Sequence, residues 1–308
     1  MRFLTVILLS FCCSPLFAGV SPWIEFDDRR GHIMIPVTLN GHAARALLDT
    51  GSSGNGISEQ FLAEHVGNYG QGKSIILRGV YGERRVNLVN NIQVGMFGSN
   101  FRLDQLMPLG VRSVELLVGL PFFDNYIVQI DYPNKRLRLI DHKSLNLKKI
   151  ANVRMKRERG TQHPLVQVNL NDEYKPWVVL DTGNNSGILM PRKHAKRKGW
   201  LERFASEEAL GVGVNAIVNR NQRFSLPKLE IGPHVLENVT ITVPAEGQKT
   251  LVGEGPAHGS RQGISKKTST GILGYDVLRH FIVTIDFRRS LLHLELPPED
   301  PAPEVNPE

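Results

Sequence analysis

Two stretches of the sequence place an acidic residue directly after an apolar run and before a turn. Residues 46–54 read Ala-Leu-Leu-Asp-Thr-Gly-Ser-Ser-Gly around Asp49, and residues 178–187 read Val-Val-Leu-Asp-Thr-Gly-Asn-Asn-Ser-Gly around Asp181. Each apolar run predicts a buried strand, and the small polar residues after it predict a sharp turn. An isolated carboxylate there is costly to ionise. Two brought face to face share a proton and a water molecule.

Such a pair suits the hydrolysis of a peptide bond. Neutral water attacks a peptide carbonyl poorly, so a base must take a proton from the water while an acid protonates the carbonyl or the leaving nitrogen. Two carboxyl groups within hydrogen-bond reach hold a single proton over a broad acidic range, because like charges raise one pKa. Asp49 and Asp181 are therefore the candidate catalytic residues. The alternative is that each carboxylate only accepts hydrogen bonds within its own turn.

The elements around Asp49 are short and predominantly extended. Residues 32–39 and 43–48 predict two strands joined by a tight turn at Asn40-Gly41, and Ser58 begins a short helix. Residues 78–84 predict the tip of a hairpin. The remaining segments predict further strands over 74–77, 86–94, 101–107, 127–131 and 136–140, and a short helix over 121–126.

The same order begins again at His163. Residues 163–170 resemble 32–39, Trp177 to Leu180 precede Asp181, and residues 271–274 match 116–119. Twelve positions separate Gly119 from Asp131, and twelve separate Gly274 from Asp286. This internal repeat indicates two related halves. The second half is longer, and we assign much of the extra length to a Gly-, Ser- and Lys-rich surface loop over 247–270.

Two Asp-Thr-Gly motifs, each after an apolar strand and each with its own aliphatic-aliphatic-Gly partner, resemble the pepsin and retropepsin superfamily of aspartic proteases. The resemblance covers nearly all of residues 33–296. It implies an all-β fold of two pseudo-symmetric, β-barrel-like lobes with a few short helices and an active site in the cleft between them. We expect lobes at 24–142 and 160–296, joined by a basic linker at 143–159.

The resemblance also gives roles to residues beside the aspartates. Glycines suit a tight turn next to the carboxylates, threonines hydrogen-bond across the lobe interface, and a small hydroxyl residue after the glycine orients the Asp. The matching positions are Thr50, Gly51, Ser52, Thr182, Gly183 and Asn184, of which Asn184 departs from the pattern. An amide also donates hydrogen bonds, so activity remains compatible with it.

Tyr81-Gly82 resembles the tip of the flap, the hairpin that closes over the substrate in pepsin-like enzymes. A closing hairpin excludes water and positions the peptide. The alternative is an ordinary surface turn. We place the counterpart in the second half at residues 211–213.

Other chemistries lack their motifs. The histidines form no His-Glu-x-x-His pattern, and both cysteines, Cys12 and Cys13, lie near the start of the chain, so we expect no metal site and no cofactor. The net charge is +7, and basic residues concentrate in 143–159. Because no aromatic residues alternate with them, we interpret this segment as a solvated linker and expect no nucleic-acid partner.

Residues 1–18 have the layout of a secretory signal peptide, with Arg2, an apolar run and small residues near Ala18. We expect a secreted or periplasmic protein that keeps no membrane contact after cleavage; a lipid anchor on Cys12 or Cys13 is the alternative. The short leader over 19–32 predicts no large inhibitory propeptide, and the acidic, Pro-rich tail at 297–308 should be disordered.

The predicted function is a secreted, monomeric aspartic endopeptidase that acts on peptide or protein substrates. The alternative is a catalytically silent, protease-like protein that uses the same cleft to bind peptides.

Overall fold

The computed structural model describes residues 19–65, 69–253 and 269–298. The predicted signal peptide, with Cys12 and Cys13, lies outside the described residues. So do residues 254–268 of the predicted surface loop and residues 299–308 of the predicted tail.

The first half of the chain folds into short strands and two short helices. The strands are β1 (Ile24–Glu25), β2 (Met34–Leu39), β3 (His42–Leu48), β4 (Gly56–Ser58), β5 (Gly70–Gly79), β6 (Gly82–Asn90), β7 (Ile92–Met96), β8 (Ser99–Leu103), β9 (Met107–Leu109), β10 (Leu116–Val118), β11 (Ile127–Asp131) and β12 (Arg136–Ile140). The helices are α1 (Glu59–His65) and α2 (Leu120–Phe123), and single 3₁₀ turns lie at Arg29–Gly31 and Leu147–Lys149.

The second half is built in the same way. Its strands are β13 (Met155–Arg157), β14 (Pro164–Leu170), β15 (Trp177–Leu180), β16 (Ile188–Leu189), β17 (Ser206–Val212), β18 (Val218–Ile231), β19 (His234–Pro244), β20 (Ile272–Leu273), β21 (Ile282–Asp286) and β22 (Leu291–Glu295). Its helices are α3 (Arg192–Arg197), α4 (Trp200–Arg203) and α5 (Tyr275–Leu278).

Each half forms one large sheet, and in the first half β5 and β6 form a separate two-stranded sheet. The first sheet has the order β8-β7-β2-β3-β10-β4-β9, and the second has the order β13-β14-β15-β20-β16-β19-β18-β17 with an additional β14–β18 pairing. The central pattern is the same in both. Strand β3 pairs in parallel with β10, which pairs antiparallel with β4, and β15 pairs in parallel with β20, which pairs antiparallel with β16.

A third sheet joins the two halves. Its order is β1-β12-β11-β21-β22, and β11 pairs antiparallel with β21 from Val128 opposite Ile285 to Asp131 opposite Ile282. One continuous apolar core includes residues from both halves, among them Phe123 and Phe281, which are fully buried. The halves are therefore held together by backbone pairing as well as by side-chain packing.

Local sequence signals account for many of these elements. Asn40 and Gly41 adopt positive φ angles of 48° and 86°, as the predicted tight turn between β2 and β3 requires. The Ser58 hydroxyl accepts a hydrogen bond from the Phe61 N–H at 3.3 Å and caps α1. Strands β11, β12 and β15 have the predicted bounds.

Three predicted segments differ from the structure. The strand predicted over 86–94 is interrupted at Asn91, whose φ of 65° separates β6 from β7. The strand predicted over 101–107 divides into the end of β8 and the start of β9. The segment at 143–159 is more than a solvated linker, because Leu147 and Val153 are buried and Met155–Arg157 forms the edge strand β13.

Candidate active site

Equivalent strands deliver the two aspartates. Asp49 follows β3, and its backbone N–H donates to the Val118 carbonyl at 2.9 Å. Asp181 follows β15, and its N–H donates to the Leu273 carbonyl at the same distance. The parallel neighbour, β10 or β20, thus fixes the point at which each strand ends. Both carboxyl groups leave their strands in equivalent positions of the two halves.

The two turns meet at the interface between the lobes. A Cβ atom added at Gly51 would lie 2.5 Å from both carboxylate oxygens of Asp181, and one added at Gly183 would lie 2.5 Å from the Cγ of Asp49. Each glycine N–H also donates to the Oδ1 atom of the aspartate in its own turn, at 2.8 Å. Only glycine leaves room for a carboxyl group to lie against the opposite turn.

The threonine that follows each aspartate forms hydrogen bonds with the opposite half of the chain. The Thr50 hydroxyl donates to the Leu180 carbonyl at 2.7 Å and accepts from the Thr182 N–H at 3.1 Å. The Thr182 hydroxyl donates to the Leu48 carbonyl at 2.7 Å and accepts from the Thr50 N–H at 3.1 Å. All four groups are buried, and the four bonds hold the two turns in register across the interface.

A solved structure shares this architecture. The chain aligns with an aspartic proteinase from Irpex lacteus at a TM-score of 0.57 and 11% identity, over 91% of this chain and 98% of that chain. The chain has the aspartic protease fold. A retropepsin-like aspartic protease from Rickettsia conorii aligns at a TM-score of 0.29 and 18% identity, over 46% of this chain and 86% of that chain. No protein-family model and no curated protein sequence matches the chain.

The prediction of an all-β aspartic protease fold with two lobes and few helices is confirmed. Both aspartates are largely buried, with 7% of Asp49 and 8% of Asp181 exposed. Burial to this extent removes most of the hydration of the two carboxyl groups.

Burial and mutual repulsion determine the protonation of the pair. Burial first, and then the charge of Asp181 and a hydrogen bond with it, raise the pKa of Asp49 well above its ordinary value of 3.8. Burial also raises the pKa of Asp181, although hydrogen bonds from Asp49 and from nearby backbone N–H groups lower it in part. The pair therefore retains a proton at pH values at which an exposed aspartate is ionised. That proton belongs to both residues together.

The predicted role of Ser52 differs from its contacts. Its hydroxyl donates to the Gly54 carbonyl at 2.9 Å, within its own turn, and its backbone N–H rather than its side chain interacts with Asp49. Asn184 does the same in the second half, where its Nδ2 donates to the Gly187 carbonyl at 3.2 Å. The Asn184 Oδ1 atom also accepts from the Ser186 N–H at 3.2 Å, and the Asn184 backbone N–H interacts with Asp181 as that of Ser52 does with Asp49. Hydroxyl and amide thus each bond within their own turn, and in both halves the backbone contact with the aspartate is kept.

Tyr81 lies at the tip of a hairpin formed by β5 and β6, here called the first hairpin. Gly79 pairs with Gly82, so Val80 and Tyr81 form a two-residue turn. The Tyr81 hydroxyl accepts a hydrogen bond from Asn221 Nδ2 at 2.9 Å, and the Gly82 carbonyl accepts one from Asn215 Nδ2 at the same distance. The tip of the first hairpin is thus bound to the second lobe.

Strands β17 and β18 form the second hairpin, which corresponds to the first. Residues 211–213 were the predicted counterpart, but β17 extends to Val212 and the turn itself spans 213–217. Gly211 lies against the Tyr81 hydroxyl so closely that no Cβ atom would fit between them. The Val214 carbonyl accepts a hydrogen bond from the Gly110 N–H at 3.0 Å, so this tip contacts the first lobe.

Two equivalent apolar clusters lie beside the aspartates. The first cluster is Met34, Leu47, Leu109, Val114 and Leu117, and the second is Leu165, Val179, Leu189, Val252 and Ile272. Leu47 precedes Asp49 by two positions, and Val179 precedes Asp181 by two positions. Val214 of the second hairpin packs on the first cluster, and Val80 and Tyr81 pack on the second. Each hairpin tip therefore covers the apolar cluster of the opposite lobe.

Sequence reasoning missed Asn215 and Asn221. Both are buried, with 6% and 2% of their surface exposed, although asparagine is usually found at the surface. The available signal was the concentration of asparagines at 215, 219 and 221 in the segment that follows residues 211–213.

No metal or membrane feature accompanies this site in the part of the chain that the structure describes. There, no three His, Cys, Asp or Glu side chains are grouped in a way that could hold a metal ion. In the same residues, no helix has both the length and the apolar character needed to span a bilayer.

Proposed function

We propose that the protein is an aspartic endopeptidase that hydrolyses peptide bonds with a water molecule activated by Asp49 and Asp181. The observation that carries the proposal is the pair of equivalent turns, in which each carboxyl group lies against the glycine of the opposite turn. The four hydrogen bonds of Thr50 and Thr182 fix that geometry.

The chemistry follows from one proton shared by two carboxyl groups. The ionised carboxylate takes a proton from water as the water oxygen attacks the peptide carbonyl carbon, and the protonated carboxyl gives its proton to the carbonyl oxygen. The C–N bond then breaks as the carboxyl group that took the water proton gives a proton to the leaving nitrogen, while the other carboxylate takes a proton back from a hydroxyl of the intermediate. The pair again holds one proton. Both carboxyl groups take part in each step, and burial keeps the pair singly protonated over a broad pH range.

An extended peptide suits the cleft between the two hairpins. Backbone groups of the substrate would hydrogen-bond with hairpin backbone in the manner of an added strand. The partly exposed apolar residues that pack on the two clusters, among them Met107 and Val80, favour apolar side chains next to the cleaved bond. The signal-peptide pattern in 1–18 supports secretion or a periplasmic location. We further propose that the protein acts as a monomer, because a single chain supplies both aspartates.

Peptide cleavage at acidic and neutral pH tests the proposal. The parent protein should cleave extended peptides that contain apolar residues, and pepstatin should inhibit it. Asp49→Asn and Asp181→Asn should each abolish cleavage, because each removes one carboxyl group without changing its shape. Asp104→Asn is the matched control, since Asp104 is exposed and lies outside the site.

A folded parent protein that cleaves no peptide at any pH would overturn the proposal in favour of a silent peptide-binding protein. Cleavage that persists in both aspartate variants would overturn it in favour of another catalytic group.

A further inference from the structure

The first hairpin is bound to the second lobe by groups that the catalytic proposal does not use. Asn221 donates to the Tyr81 hydroxyl, and Asn215 donates to the Gly82 carbonyl, both at 2.9 Å. The Val80 carbonyl accepts from the Leu251 N–H at 2.8 Å and from the Thr250 hydroxyl at 2.9 Å. Every one of these donors belongs to the second lobe.

A chain of buried amides sets the direction of the bond to Tyr81. Asn219 Nδ2 donates to Asn221 Oδ1 at 2.9 Å, which leaves the Nδ2 end of Asn221 facing Tyr81. Asn219 and Asn221 are buried, with 6% and 2% exposed. A hydroxyl that accepts a hydrogen bond keeps its own proton for donation. Asn221 therefore fixes the position of Tyr81 and leaves the hydroxyl proton of Tyr81 available for donation.

Asn215 performs a similar task at the neighbouring residue. Its amide lies beside the Gly79–Gly82 pair, where a Cβ atom on Gly79 would be 2.9 Å from Asn215 Oδ1. Only 6% of Asn215 is exposed, and its Oδ1 atom has no hydrogen-bond partner in the described structure. Leaving a buried amide oxygen without a hydrogen bond costs free energy. The bond from Asn215 Nδ2 to the Gly82 carbonyl of the first hairpin is the contact that offsets this cost.

We propose that Asn215 and Asn221 are positioning residues that hold the first hairpin closed across the cleft from the opposite lobe. Asn221 orients Tyr81, and Asn215 binds the Gly82 carbonyl beside it. This inference rests on the proposed peptidase function, because its purpose is to place the hairpin over a bound peptide. Neutral hydrogen bonds suit the task, since each shifts the closing equilibrium by only about fivefold and so permits reopening.

A double-mutant cycle tests the bond between Tyr81 and Asn221. Tyr81→Phe and Asn221→Leu should each lower kcat/KM by about fivefold, and the double variant should lose no more than either single variant. Arg220→Leu is the matched control, because Arg220 is exposed on the same strand. It should keep parental activity. Additive losses in the double variant would overturn the role of Asn221.

Distance measurement between the hairpins provides a readout independent of activity. The only cysteines are Cys12 and Cys13. With both replaced by serine, Arg85→Cys and Val218→Cys place spin labels on exposed positions of the first and second hairpins. The parent and Arg220→Leu should give one narrow distance distribution. Asn221→Leu and Asn215→Ala should broaden it towards longer distances.

The two readouts separate this inference from the proposed function. An unchanged distribution in the asparagine variants, in a protein that cleaves peptides, would refute the positioning role alone. A broadened distribution in a protein that cleaves nothing would support the positioning role and refute the peptidase. If Asn221→Leu fails to fold, Tyr81→Phe removes the same bond from the partly exposed side, and its distance distribution decides the matter.

Discussion

Replacing Thr50 by valine removes a hydroxyl group from the lobe interface and keeps the shape of the side chain. The variant loses the bond from Thr50 to the Leu180 carbonyl and the bond from the Thr182 N–H. Both partner groups stay buried without another partner in the described contacts. Net hydrogen-bond energies near 1 kcal/mol each, plus the cost of leaving buried groups unpaired, give a loss of about 2 to 5 kcal/mol in the free energy of unfolding.

Urea unfolding monitored by tryptophan fluorescence measures this loss. Thr50→Ser is the matched control, because it keeps the hydroxyl and removes only a methyl group, worth about 0.8 kcal/mol. Thr182→Val should cost the same as Thr50→Val, since its hydroxyl makes the equivalent bonds to Leu48 and Thr50.

The reasoning fails if Thr50→Val and Thr50→Ser unfold with free energies within about 0.5 kcal/mol of each other, the lower limit for one net hydrogen bond. It also fails if Thr50→Val is costly and Thr182→Val is neutral, because the bonding is symmetric. Peptidase activity of the folded Thr50→Val protein should fall as well, since the two carboxyl groups would no longer be held in register.

Two further predictions concern the aspartates. Gly51→Ala should abolish peptide cleavage and lower the melting temperature, because its Cβ would overlap the Asp181 carboxyl group. Gly54→Ala should change neither, since its nearest atom would be at 3.5 Å. The raised pKa of Asp49 means that the folded state binds more protons than the unfolded state, so stability falls as pH rises from 3.8 through the folded pKa. Asp49→Asn should therefore be more stable than the parent near neutral pH and equally stable at about pH 3, and urea titrations showing parallel pH profiles would contradict this.

The sequence was sufficient to predict the strands that carry the aspartates. Leu47, Leu48 and Val179 form uninterrupted apolar runs, and the turn residues after Asp49 and Asp181 allow only a sharp change of direction. These signals are local, because they depend on neighbouring residues within one strand and one turn. The repeat then predicted that both turns belong to one site, and the structure brings them together.

The contacts that join distant segments were not predictable in the same way. Strand β11 pairs with β21 across more than 150 positions of the chain, and neither strand carries a signal that names its partner. The edge strand Met155–Arg157 was not predicted, because basic residues are as common on an exposed edge strand as in a linker. Ser52 was misassigned because the same hydroxyl can face the aspartate or its own turn.

The hydrogen bonds between the halves explain why the site requires both halves of the chain. The Thr50 hydroxyl donates to the Leu180 carbonyl, and the Thr182 hydroxyl donates to the Leu48 carbonyl, so each half alone would lack the partner for one hydroxyl and one carbonyl. The hairpins follow the same rule, since the apolar cluster of each lobe is covered by the hairpin tip of the other. Each lobe alone has unpaired hydrogen-bonding groups and an uncovered apolar cluster at equivalent places. Pairing the two lobes supplies the missing contacts of both. The carboxyl pair, the threonine bonds and the hairpin contacts therefore belong to one interface. The effects on stability of substitutions in any two of them should be non-additive.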